Sequence, residues 1–166
     1  MSVLARSCLG GISEDTAVGV IRFGRRGWND AVEPHPVLDL AELLGAPPGI
    51  WLGRPGGARP EVTLVGHSMG GRAALWAAAR HRVDRLVLLA PWLESSDPIP
   101  GPDTREVVIV HGTGDAVTSP QRSAALADRL ATTRGVGQFV PLKGATHWLV
   151  DAWGRWVDAI TTALAD

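Results

Sequence analysis

Apolar positions along this chain form two kinds of run: short and nearly continuous, or spaced by three and four residues. The continuous kind comprises Thr16 to Phe23 (TAVGVIRF), Val62 to Val65 (VTLV), Asp84 to Ala90 (DRLVLLA), Glu106 to Val110 (EVVIV) and Gly137 to Leu142 (GQFVPL). Their β-branched content and their Gly or Pro boundaries predict strands. DRLVLLA has almost no polar face, which suits a strand covered on both sides. Helical spacing predicts a helix over Pro36 to Leu44, with Val37, Leu40, Leu43 and Leu44 inward, Pro36 in the first turn and Gly45 at the C-terminal cap. A second helix carries Ala73, Ala74, Ala77 and Ala78, small enough for close approach to a sheet. Ser119 followed by Pro120 reads as an N-cap and first turn, opening a third helix through Leu130. From Trp148 a fourth helix is predicted to run to the end, with Val150, Trp153, Val157, Ile160 and Leu164 as its core stripe.

Strands alternating with helices imply βαβ units, right-handed crossovers and a mostly parallel sheet. The expected class is α/β, a three-layer sandwich with about five strands, and residues 1–166 make a single domain. Only the Pro-rich segment Leu93 to Thr104 separates two of the strands, so no cap domain fits there. Of the longer loops, Ala46 to Pro60 holds Trp51, read as a hydrophobic plug. Gly24 to Asp30 holds Arg25 and Arg26, which read as solvated because no phosphate-cradling G-x-x-x-x-G-K surrounds them.

Composition then narrows the classes. Sixteen basic and 17 acidic residues give no strong field towards nucleic acid or a membrane surface, so neither is expected as a partner. No apolar run reaches the roughly 18 residues that span a bilayer, and the N-terminal stretch lacks a long apolar region for a signal peptide. A cytoplasmic location is the expectation. Cys8 is the single cysteine, and the five histidines show no ligand spacing, so neither disulfide nor metal site is expected, and no cofactor. Lys143 is the only lysine, a bias that points to a GC-rich bacterial genome.

The chemistry concentrates at the ends of three strands. VTLV breaks into Gly66-His67-Ser68-Met69-Gly70-Gly71 before the Ala-rich helix, a G-x-S-x-G turn between strand and helix. A serine on such a corner has strained backbone and an exposed hydroxyl, and a Cβ at Gly66 or Gly70 is expected to collide with the adjoining elements. Met69 opens the helix, where its N–H is placed for a developing oxyanion. Asp115 follows EVVIV in the turn HGTGD, and His147 follows the last strand in the loop KGATH. Serine needs an imidazole to take its proton, and the imidazole needs a carboxylate to fix its tautomer.

GHSMGG, HGTGD and GATHW together resemble the nucleophile elbow, acid turn and histidine loop of the α/β-hydrolase superfamily, most closely its compact bacterial serine esterase-like members. The resemblance covers roughly Thr16 to the C-terminus. It implies Ser68 as nucleophile, His147 as general base and then acid, Asp115 as orienting carboxylate and Met69 N–H as one oxyanion donor. His67 and His111 resemble scaffold positions that pack or hydrogen-bond. Trp92 and Trp148 are candidates to wall an acyl pocket, or plain core.

The chain departs from that family in lacking the strands and helix that normally precede Thr16 to Phe23, including the strand whose loop supplies the second oxyanion donor. The expectation is that Thr16 to Phe23 slides over to pair with Val62 to Val65, and that Gly24 or Arg25 offers a substitute N–H. Two readings follow: a small capless serine hydrolase acting on short acyl esters, or a weak or inactive binding module with an incomplete oxyanion site. An edge left bare by the missing strands favours association, a homodimer among the options.

Overall fold

The computed structural model describes residues 16–46 and 59–165. The segments around Cys8 and Trp51 lie outside the described residues. Four strands, β1 (Thr63–His67), β2 (Arg85–Leu89), β3 (Glu106–Gly112) and β4 (Gly137–Leu142), form one sheet in the order β1-β2-β3-β4. Every pairing is parallel, with Leu64 beside Leu86, Leu86 beside Val107 and Val107 beside Gly137. The helices are α1 (His35–Gly45), α2 (Met69–Ala78), α3 (Pro120–Arg134) and α4 (Trp153–Leu164).

The alternation of side chains along β2 and β3 builds the layers. Leu86, Leu88, Val107 and Ile109 face α2 and α3, packing on Ala74, Leu75, Ala78, Leu126, Ala127 and Leu130. Val87, Leu89, Val108 and Val110 face α4, packing on Trp156, Ile160 and Ala163. Both faces are covered, so the central strands can be apolar throughout. α3 begins as its sequence indicates: the Ser119 hydroxyl accepts the Arg122 N–H, Pro120 sits in the first turn, and Gly135 closes the helix at φ 70°.

Two expectations are corrected. Thr16 to Phe23 forms no strand. Val18 and Val20 are exposed, whereas Ile21 and Phe23 pack beside Val37, Leu40, Ala73 and Ala77 of α1 and α2. β-propensity describes fit to a pleated surface, and this segment buries its large side chains better against helices. β1 therefore remains an edge with Val65 46% exposed, and the sheet has four strands among the described residues instead of about five.

The second correction concerns α4. Residues 148–152 form turns, so Val150 is 77% exposed and the buried stripe is Trp156, Ile160 and Ala163, with Val157 and Leu164 at its border. Trp156 controls the rotation. Its ring is fully buried, although its indole N–H has no acceptor among the described residues. Burying a tryptophan stabilises by about 4–6 kcal/mol at 25 cal/mol per Å², more than the roughly 1–3 kcal/mol that an unpaired donor costs.

Candidate active site

Ser68 stands between β1 and α2 with φ 53° and ψ −119°, a conformation that costs a non-glycine residue about 1–3 kcal/mol. The turn is held from both sides: Ser68 N–H donates to Leu89 O, and Ser68 O accepts from the Gly71, Arg72 and Trp92 N–H groups. A Cβ on Gly66 would come within 2.4 Å of Gly70 O, so only glycine fits there. Gly70 is the corrected case, because a Cβ on it meets nothing within 4 Å. The tight second glycine is Gly71, where an added Cβ would lie 3.0 Å from Gly66 O and Pro91 Cβ.

Ser68 occupies the N-cap position of α2 yet makes no side-chain cap bond. A serine there ordinarily accepts a first-turn N–H. Its Oγ instead lies 3.1 Å from His147 Nε2. No acceptor among the described residues takes the Met69 N–H, leaving it one of the helix's free first-turn donors.

His147, on the loop after β4, places Nδ1 2.8 Å from Asp115 Oδ2. The Asp115 side chain is fully buried and accepts five bonds. Oδ1 takes the Val117 and Thr118 N–H groups at 2.7 and 2.9 Å. Oδ2 takes the Thr118 hydroxyl at 2.8 Å, His147 at 2.8 Å and His111 Nε2 at 3.1 Å. Burial pushes this carboxyl up, but the Thr118 N–H, the His147 bond, the Val117 N–H and the Thr118 hydroxyl together outweigh it, so it lies well below the usual carboxylate range. An ionised carboxylate only accepts, so each imidazole turns an N–H towards it. A neutral His147 with its proton on Nδ1 leaves the Nε2 lone pair for the Ser68 O–H.

His67 and His111 both hydrogen-bond. His67 Nε2 lies 3.1 Å from the His147 carbonyl, and its ring packs against that of His147, tilted by 38° with 4.8 Å between centroids. His111 is fully buried, with Nδ1 2.7 Å from Ser123 Oγ. Burial is the leading influence on both rings and lowers their pKa values, favouring the neutral form.

The remaining sequence candidates separate. Trp92 lines an open cleft of about 540 Å³ beside Asp115, with Leu93, Val117, Thr118 and Arg122, and neither Ser68 nor His147 is part of that lining. Trp148 is 64% exposed and is not part of that lining; it meets His147 edge to face at 5.5 Å. Gly24 N–H donates to Asp39 Oδ2 at 2.8 Å, so of the two groups expected as a substitute donor, Gly24 and Arg25, the first is already paired.

Sequence reasoning missed two features. The Thr118 hydroxyl donates to Asp115 Oδ2 at 2.8 Å, with the Ala90 carbonyl a more distant alternative acceptor at 3.3 Å. Arg72, buried on α2, lies between the rings of Trp28 and Trp92 at 4.3 and 4.7 Å and pairs with Asp97, fixing the Trp92 wall. An arginine inside an otherwise apolar, Ala-rich helix was the available signal. Among the described residues no helix is long and apolar enough to cross a membrane, and no cluster of His, Cys, Asp or Glu is arranged to hold a metal.

A family model described as alpha/beta hydrolase fold matches residues 58–107, which include Ser68 and stop before Asp115 and His147. No curated protein matches the sequence. Among solved structures, an alpha-beta serine hydrolase homologue from Coxiella burnetii aligns at TM-score 0.69 and 18% identity, covering 98% of this chain and 76% of its own. The alpha/beta hydrolase enzyme MGS-M1, from a Medee basin deep-sea metagenome library, aligns at TM-score 0.55 and 20% identity over 81% of this chain and 68% of its own. Acyl-protein thioesterase 2 of Zea mays aligns at TM-score 0.56 and 16% identity over 79% and 65%. The fold of this chain is similar to the alpha/beta hydrolase fold of these structures.

Proposed function

We propose that this protein is a serine hydrolase that cleaves small acyl esters through an acyl-enzyme. The observation that carries the reading is the line from Ser68 Oγ to His147 Nε2 at 3.1 Å and from His147 Nδ1 to Asp115 Oδ2 at 2.8 Å, on a serine that forgoes its cap bond. In this reading Ser68 Oγ attacks the ester carbonyl while His147 Nε2 takes its proton, and Asp115 stabilises the imidazolium. The Met69 N–H and the head of α2 receive the negative charge on the carbonyl oxygen. Collapse of the adduct breaks the ester C–O bond, and His147 returns the proton to the leaving alcohol. Water then repeats the sequence on the acyl-enzyme, with His147 first as base and then as acid. The cleft beside Asp115 carries Glu94, Gln121 and Arg122 as well as Trp92 and Leu93 and does not include Ser68, so it sets no acyl preference.

One observation favours a second reading, a weak or inactive binding module. The Gly24 N–H is committed to Asp39, leaving the oxyanion site with Met69 and without that second donor. Loss of one such donor costs roughly 10²–10³ in rate. In that reading the open edge of β1, with Val65 exposed, serves association, including pairing of two copies.

Labelling with a serine-directed fluorophosphonate, read by intact mass, separates the two. A single adduct on the wild type that is lost in Ser68→Ala, with both proteins folded by circular dichroism, supports the hydrolase. A folded wild type that gains no adduct refutes it.

A further inference from the structure

Asp115 carries two imidazoles on one oxygen. His147 and His111 approach Oδ2 from the loop after β4 and from β3, at 2.8 and 3.1 Å. Orientation of the Asp115 carboxylate towards His147 needs one of these bonds. The other has no part in the proton transfers described above, yet it comes from a ring with no exposed surface.

The surroundings of His111 fix which proton it carries. Its Nδ1 faces the Ser123 hydroxyl at 2.7 Å, and Ser123 is itself fully buried on α3. A proton on Nδ1 would leave the Nε2 lone pair against an ionised carboxylate oxygen. A proton on Nε2 gives both contacts their hydrogen: Ser123 O–H donates to Nδ1, and Nε2–H donates to Asp115. The Thr118 hydroxyl is also 3.3 Å from His111 Nε2, but its single proton has the closer acceptor in Asp115 Oδ2 at 2.8 Å. The result is a continuous chain from Ser123 through His111, Asp115 and His147 to Ser68.

We infer that His111 is a positioning residue of this site: its Nε2–H, with the tautomer set by Ser123, holds Asp115 Oδ2 in line with His147 Nδ1 and draws off part of the carboxylate's charge. The role rests on the hydrolase reading for its purpose and on the hydrogen-bond geometry for its existence. Charge shared among several donors stabilises the His147 imidazolium less than the same charge concentrated on one. The other ionisable groups of the cluster are few. His67 of β1 packs against His147, and Asp151 beyond the histidine loop accepts the Thr146 N–H. The Arg122 guanidinium of α3 is engaged by Leu93 O and Glu94.

The experiment is imidazole NMR on the full-length ¹⁵N-labelled chain, which reads protonation and tautomer whether or not the protein turns over an ester. In the wild type at pH 7, His111 should be neutral with its proton on Nε2. In His111→Leu, with Oδ2 relieved of one donor, the His147 titration midpoint should rise by about one pH unit. His111→Gln, whose side-chain amide restores an N–H towards Asp115, should bring the midpoint back towards wild type. A wild-type His111 protonated on Nδ1 or on both nitrogens overturns the inference, as does a folded His111→Leu whose His147 midpoint is unmoved. Should His111→Leu fail to fold, the wild-type tautomer decides alone. The fluorophosphonate adduct on Ser68 is scored separately: its absence alongside the expected His111 tautomer counts against the hydrolase reading and leaves the positioning geometry standing.

Discussion

Arg72 Nε and Nη2 both reach Asp97 Oδ1, at 2.9 and 2.8 Å, with the two side chains only 8% and 3% exposed. The same oxygen accepts the Trp76 indole N–H at 2.8 Å, and Asp97 Oδ2 accepts the Glu94 N–H at 2.7 Å. The pair therefore fastens the segment after β2, and with it Trp92, to α2, the helix that follows Ser68. Removing one partner of a buried ion pair strands the other charge, at a cost of about 3–5 kcal/mol, whereas replacing both by apolar residues is often near neutral. Asp97→Ala should lower stability by that amount in urea denaturation, and Arg72→Met with Asp97→Leu should recover most of it. Wild-type stability in Asp97→Ala would refute the account.

Gly66 and Gly70 belong to one motif and should respond oppositely to alanine. At Gly66 the new Cβ meets backbone at 2.4 Å, which no side-chain rotation relieves. Gly66→Ala should cost at least 2 kcal/mol, on the order of an overpacked core site, and lose Ser68 labelling. At Gly70 the space is open, and alanine gains up to about 1 kcal/mol of helix propensity in α2. Parallel denaturation curves check the pair, and a tolerated Gly66→Ala would contradict the observed turn.

How legible the fold was depended on whether a segment's partner was local. β4 spans Gly137–Leu142 as the apolar run indicates, and the Ser119-Pro120 signal marks the start of α3 because capping is settled within one turn. Thr16 to Phe23 has strand composition, but pairing is decided by a neighbouring edge, and Ile21 and Phe23 found α1 and α2 first. The α4 stripe was misread by about one position because Trp156 needs the deepest place and periodicity carries no side-chain volume. At the site, Ser68, Asp115 and His147 were readable as residues following strands, and the structure brings them together. His111 and Thr118 as donors to Asp115 follow from side-chain directions across a turn, which a linear pattern does not carry.

Burial lowers the pKa values of both His111 and His67, so the folded protein holds them neutral where an unfolded chain begins to protonate. As pH falls below the unfolded value near 6.5 the unfolded state takes up more protons, and folding stability drops. Asp115 acts in the same direction, but only lower in pH. Its depressed pKa contributes stability that is complete above the ordinary carboxylate range and is lost as pH falls through that range towards the folded value. Denaturation midpoints measured from pH 8 to pH 5 should therefore decline from about pH 6.5 downwards, and His111→Gln should flatten the upper part of the decline. A profile flat down to pH 5 would show that the rings protonate freely in the folded protein.

The histidine loop is closed on itself by Asp151. Its Oδ2 accepts the Thr146 N–H at 2.7 Å, and Thr146 Oγ1 in turn accepts the Trp148 N–H, so both neighbours of His147 are fixed by one surface carboxylate. Bonds from the Thr146 side chain and then its N–H lower the Asp151 pKa. Because the carboxylate is exposed, removing it should hardly move the denaturation midpoint. What it should move is the placement of His147 relative to Ser68, now 3.1 Å between Nε2 and Oγ. Displacements of about 1 Å in a reacting pair cost up to 10²-fold. In the hydrolase reading, Asp151→Ala should slow fluorophosphonate labelling of Ser68 by roughly ten- to a hundredfold at unchanged stability, while Asp151→Asn, which keeps an acceptor oxygen for Thr146, should lose less. Equal labelling rates in Asp151→Ala and wild type would mean that the contact with His67 and the bond to Asp115 hold the ring without help from its loop.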